Sequence, residues 1–77
     1  MANWVIDIMS SDRSFSKIII ITTDSPELDN VAAVAKRLAN TDIWLLEDEF
    51  GVMAIHRDHM YSYSVQKSNS PGRYKLI

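Results

Sequence analysis

The chain has 77 residues, 47% of them hydrophobic and 23% charged, with no cysteine and a formal net charge of −2. A chain of this length holds one domain with a small core, and without cysteine it has neither disulfide staples nor thiolate zinc sites, which fits a reducing compartment. Residues 1–66 hold all ten acids and five of the eight bases, while Lys67, Arg73 and Lys75 make the last eleven residues basic. An acidic body argues against a phosphate-tracking surface, because nucleic-acid binding draws on clustered Lys and Arg.

No basic segment precedes the first apolar stretch, and Asp7 interrupts it. No run approaches the roughly 20 apolar residues of a membrane span, so a soluble, cytoplasmic protein with no membrane partner is expected. In Trp4-Val5-Ile6-Asp7-Ile8-Met9 the residues Trp4, Ile6 and Ile8 share one face, which reads as a half-buried strand. The polar Ser10-Ser11-Asp12-Arg13-Ser14 then suits a hairpin loop, pairing that strand antiparallel with Phe15 to Thr23.

Within this second strand lies Ile18-Ile19-Ile20-Ile21. Successive strand side chains point to opposite faces, so these isoleucines place branched apolar groups on both sides of a sheet and call for cover on each. A run of low charge and high β-propensity belongs centrally, between other strands.

Asp24-Ser25-Pro26-Glu27 carries helix-start signals: Ser25 as N-cap with Pro26 at the first helical position, or Asp24 as N-cap with Glu27 completing a capping box. Leu28, Val31, Ala32, Val34, Ala35, Leu38 and Ala39 form the apolar stripe, with Lys36 and Arg37 complementing the dipole near the end. One helix covers one sheet face. The other face needs the chain's own tail, another strand layer or another protein molecule.

Ile43-Trp44-Leu45-Leu46 reads as a third strand, Glu47-Asp48-Glu49-Phe50-Gly51 as a turn and Val52 to His56 as a fourth strand. After Arg57-Asp58-His59, the segment Met60 to Val65 puts Tyr61, Tyr63 and Val65 on one face. The expected fold is α+β, a small, mostly antiparallel sheet of four to five strands with one helix on one face, in the order ββαβββ. Residues 1–66 are expected to form the domain, and 67–77 a basic tail, either disordered or docked as a strand.

The chemistry-bearing residues form no catalytic constellation. His56-Arg57-Asp58-His59 faces an acidic turn, but a turn does not hold His at i and i+3 on one face, so no metal site is assigned. His56-Arg57-Asp58 also spells the kinase catalytic-loop signature, which a chain this short cannot house. There is no Gly-x-Ser-x-Gly elbow, and Gly51 and Gly72 cannot make a phosphate loop. No cofactor and no enzymatic activity are expected.

His56-Arg57-Asp58-His59-Met60-Tyr61 resembles the strand-end segment of the small dimeric carbon-storage-regulator RNA-binding proteins. The resemblance covers six residues. This chain has a central helix which that family lacks, and no apolar N-terminal strand ending in arginines, so neither fold nor RNA binding is carried over. More loosely, a short chain with one helix, dense strands and no catalytic constellation is similar to many phage-encoded proteins that bind and disable a host protein, acting in host takeover or against defence.

The functional expectation is a non-enzymatic interaction module, homo-oligomeric, that binds and inhibits or regulates an unidentified protein. Trp44, Glu47, Asp48, Glu49, Phe50, Tyr61 and Tyr63 are its expected partner contacts, and Trp4, Ile18 and Ile20 its oligomer contacts. The alternative is a nucleic-acid or metal-dependent binder using Tyr61, Tyr63, His56, Arg57 and the basic tail.

Overall fold

The computed structural model describes residues 2–10, 12, 14 and 16–77. In chain order the elements are β1 (Ala2–Ser10), β2 (Ser16–Thr23), α1 (Val31–Ala39), β3 (Ile43–Asp48), β4 (Gly51–His56), β5 (Met60–Lys67) and β6 (Tyr74–Leu76), with 3-10 turns at Pro26–Leu28 and Arg57–His59. The six strands form one sheet in the order β4-β3-β6-β2-β1-β5. Phe15, expected to open the second strand, lies outside the described residues.

This corrects the expected sheet of four to five mostly antiparallel strands. There are six, and the sheet is mixed, because β6 pairs parallel with β2 and antiparallel with β3. Of the two states expected for the segment 67–77, disordered or docked as a strand, its residues Tyr74–Leu76 take the second. The segment supplies the strand that joins β3-β4 to β2-β1-β5, held by Arg73 N–H donating to the Ile20 carbonyl and Ile77 N–H to the Leu45 carbonyl, both at 3.0 Å.

The alternating strands sort their side chains as the pleat requires. Trp4 lies opposite Ile21, and Ile6 opposite Ile19 on one side and Val65 on the other, so all of these share one face. With Ile8, Trp44, Leu46, Val34 and Leu38 they form the buried core beneath α1. Both indole N–H groups are satisfied there: Trp4 Nε1 donates to Thr23 Oγ1 at 2.9 Å and Trp44 Nε1 to the Leu38 carbonyl at 3.0 Å.

The helix begins later than its start signals suggest. Ser25 does cap a turn, accepting from Glu27 N–H at 3.3 Å, but that turn is a 3-10 helix which ends at Leu28. Asn30 then takes an extended conformation and caps α1 by accepting from Ala33 N–H at 2.8 Å. Val34 and Leu38 are buried, Ala33 and Ala35 are half-buried, and Ala32 and Ala39 are exposed, so the stripe is shifted from its expected line.

To reach the middle of the sheet from the β5 edge, residues 68–72 cross the ends of β1 and β2. Ser68 N–H donates to the Asn3 carbonyl at 2.9 Å, and Gly72 N–H to Asn3 Oδ1 at 3.1 Å. A Cβ on Gly72 would sit 2.3 Å from Thr22 Oγ1 and 2.6 Å from the backbone at Ile21 and Thr22. Glycine is what lets this strap lie flat on β2.

Candidate interaction surface

The four isoleucines divide between two environments. Ile19 and Ile21 are 4% and 1% exposed beneath α1, whereas Ile18 on the opposite face is 65% exposed and Ile20 is half-buried. The cross-strand registers extend that opposite face over the whole sheet. Ile20 lies across from Val5, Ile18 from Asp7, Leu45 from Ala54, Ile43 from His56, and Glu47 from both Val52 and Lys75.

Two apolar patches result. The first comprises Ile18, Ile20, Val5 and Met9 on β2 and β1, with the exposed Asp7 among them opposite Ile18. The second comprises Ile43, Leu45, Val52 and Ala54 on β3 and β4, continued by Ile77, with Val52 58% and Ile77 56% exposed. A polar seam runs between them. Thr22 Oγ1 donates to Asn3 Oδ1 at 2.7 Å and Lys75 Nζ meets Asp24 Oδ2 at 3.1 Å. Along β5, Ser62, Ser64 and Gln66 make the far flank polar, facing Met9, Asp7 and Val5.

Scattered exposed apolar residues are ordinary on a protein surface, but contiguous patches flanked by polar groups mark contact surfaces. On β3 and β4 the pattern is continuous from Ile43 to Val52, and α1 lies on the other side of the sheet.

The expected contact residues part company here. Trp4, expected at the oligomer contact, and Trp44, expected at the partner contact, are 2% and 1% exposed and lie in the core of the folded protomer. Tyr63 is half-buried as well. Its ring meets Trp44 edge-on, with centroids 5.0 Å apart at 88°, and its hydroxyl donates to the Ala35 carbonyl at 3.3 Å. Tyr61 is 55% exposed and off that face, because β5 carries an extra residue where Ser62 pairs with Met9 and Met60 with Ser10. The bulge separates two tyrosines that simple alternation puts together.

The acidic turn is a tight hairpin with Asp48 opposite Gly51. Asp48 Oδ1 accepts from Phe50 N–H at 2.9 Å and Gly51 N–H at 3.0 Å, and its other oxygen lies 3.8 Å from Arg73 Nε, so Asp48 shapes the turn. Gly51 has φ +151°, a conformation side chains rarely adopt. Glu49 and Phe50 are left at the tip, Phe50 82% exposed. Glu47 stands on the open face beside Val52 and Lys75.

The His-Arg-Asp-His turn places the His56 and His59 rings edge-to-face at 5.9 Å. Arg57 is occupied, donating to the Ala39 carbonyl and pairing with Asp42 at 3.1 Å. Among the described residues, no group of three or more His, Asp or Glu side chains is gathered to hold a metal ion. Of the tail's bases, Arg73 lies 3.8 Å from Asp48 and Lys75 3.1 Å from Asp24.

One carboxyl departs from its ordinary range. Asp12 accepts hydrogen bonds from Ser14 Oγ at 2.6 Å, Ser14 N–H at 2.9 Å and Ser10 Oγ at 2.7 Å, which lower its pKa to about 2. These bonds tie Asp12 to Ser10 and Ser14.

No family model, curated protein or solved structure matches this chain. No helix among the described residues is long and apolar enough to cross a membrane.

Proposed function

We propose that this protein is a non-enzymatic interaction module of the cytoplasm that self-associates through the uncovered sheet face and binds another protein, inhibiting or regulating it. The supporting observation is the pair of apolar patches opposite α1, with Ile18 at 65% and Val52 at 58% exposure. Burial of such surface is the main driving force of association. Strands spaced about 4.8 Å apart and rising about 3.3 Å per residue give six strands a face of roughly 500–700 Å², near the roughly 800 Å² each partner contributes to a standard interface.

The strap over Asn3 and Thr22 takes one corner of that face, and the polar β5 flank forms a rim. A second copy presents the same patches, as a two-fold interface requires. The exposed Phe50 beside Glu49, at the opposite end from the His-Arg-Asp-His turn, supplies an aromatic anchor for the regulated protein.

Sedimentation at micromolar concentration tests the self-association. The wild type is expected to sediment as a dimer or larger species, and the double variant Ile18→Glu, Leu45→Glu as a folded monomer. A wild type that stays monomeric across that range overturns this reading.

A further inference from the structure

We infer that the free edge of β4 captures an extended peptide segment of the partner protein by strand addition, apolar at alternate positions and carrying a carboxylate at its flank. The inference rests on the reading of this chain as an interaction module and names the chemistry of what it binds.

The first ground is the main chain of β4, which lies at the edge of the sheet. Arg57 N–H donates inward to the Asp42 carbonyl at 2.9 Å. Main-chain groups alternate along an antiparallel pair, so Gly51, Met53 and Ile55 also face β3, whereas Val52, Ala54 and His56 turn their N–H and C=O outward. The Leu45 carbonyl, bonded to Ile77 on the β6 side, agrees with this phase, since Leu45 lies opposite Ala54.

The second ground is composition. Folded proteins guard sheet edges with Lys, Pro, bulges or cover, because an open edge is a template for another strand. The sequence Gly-Val-Met-Ala-Ile-His of β4 has no Pro and no acid or lysine. The opposite edge, β5, is guarded by its bulge and by Ser62, Ser64, Gln66 and Lys67.

The third ground is what lies beside the edge. The run Met53 to His56 borders a cleft of about 360 Å³ whose far wall includes Ile8, Ser10 and Met60. Ile8, Met53, Ile55 and Met60 make its lining largely apolar, with methionines that adapt to varied side chains. Lys17, His56 and His59 stand at its rim, and none of the described lining residues is acidic. Cation and ring N–H groups beside a largely apolar lining, on an otherwise acidic chain, suit a carboxylate flanking an apolar strand. Main-chain bonds then give affinity and the lining gives side-chain preference, as in other strand-addition complexes.

Amide hydrogen exchange read by NMR tests the proposal, with the capped peptide acetyl-Glu-Val-Thr-Val-Thr-Val-Glu-amide as probe and its backbone N-methylated version as control. Saturating peptide is expected to slow exchange at Val52, Ala54 and His56 by about an order of magnitude, while the control leaves it unchanged. Ala54→Pro removes an outward N–H that β3 does not use, so it should keep the fold and abolish binding. Lys17→Glu, at an exposed position, should weaken binding about tenfold with a matching loss of salt dependence.

Unchanged exchange at these amides, equal binding of the N-methylated peptide, or full binding by folded Ala54→Pro overturns the proposal. Protection of the same amides without peptide, growing with protein concentration, overturns it in favour of a second copy. Sedimentation of the protein alone, run on the same samples, reads self-association separately. A monomer that binds the peptide keeps strand addition and removes the homo-oligomer.

Discussion

Ile18 and Ile19 share a peptide bond and occupy opposite environments, 65% and 4% exposed. Ile19→Ala is expected to cost about 2–5 kcal/mol, the usual range for a buried aliphatic truncated in a packed core. Ile18→Thr should fall within about 0.5 kcal/mol of the wild type in a dilute urea melt. Any loss at Ile18 that grows with protein concentration reports association rather than folding. Equal losses at both positions under dilute conditions would contradict the two-environment account.

The helix is tied to the sheet through Trp44, which donates to the Leu38 carbonyl and meets Tyr63 edge-on. Leu38, 1% exposed, should cost about 2–5 kcal/mol when cut to Ala. Tyr63→Phe keeps the ring contact and removes only the bond to Ala35, so about 0.5–1.5 kcal/mol is expected. Thermal melts with near-ultraviolet dichroism at the tryptophans would show a Tyr63→Phe loss as large as that of Leu38→Ala if this assignment is mistaken.

Gly72 and Gly51 make different demands. Gly72→Ala drives a Cβ into the backbone of β2 and should cost about 1–3 kcal/mol by lifting the strap. Gly51→Ala meets nothing within 4 Å, and only its backbone conformation resists, at about 1–3 kcal/mol. The distinguishing readout is exchange at the Arg73 and Ile77 amides, accelerated by Gly72→Ala and unaffected by Gly51→Ala. Equal effects on these amides would refute the strap's close approach.

Asp12 sets an acid limit on the first hairpin loop. Its pKa is lowered to about 2 from 3.8, so the folded state favours the charged form. The contribution is fully present above about pH 4 and is lost as pH falls through about 2. Asp12→Asn should remove that part of the acid dependence, and a carboxyl titration followed by NMR should have its midpoint near 2. A midpoint near the ordinary aspartate value would mean that Ser10 and Ser14 do not hold the carboxylate.

Much of the sheet was legible where alternation ran long enough. Trp4, Ile6 and Ile8 mark the covered face of β1, and Ile18 to Ile21 announce a strand with two apolar sides; both follow from the pleat alone. The hairpin pairing of β1 with β2 follows from the short polar loop between them. β6 was not legible as a central strand, since three residues carry no usable period and its parallel neighbour lies some fifty positions away in sequence. The helix start was misplaced because Ser25 and Pro26 do begin a turn, but Asp29 and Asn30 interrupt it before α1.

Which apolar residues are exposed was less legible than the fold. Tryptophan and tyrosine serve cores and interfaces equally well, and only the packing of Trp4 on Thr23 and Trp44 on Tyr63 tells which. That Ile18 and Ile20 lie on the open face follows from the sequence, because their neighbours Ile19 and Ile21 claim the covered side. Val52, Leu45 and Ile43 were missed as surface, although a strand apolar on both faces beside a single helix held that information for them too.

The strand made last is the one placed in the middle. β6 takes hydrogen bonds from β2 on one side and β3 on the other, so β2-β1-β5 and the β3-β4 hairpin belong to one sheet only through three residues. Pairings this distant in sequence raise contact order, and slow folding is the expected consequence.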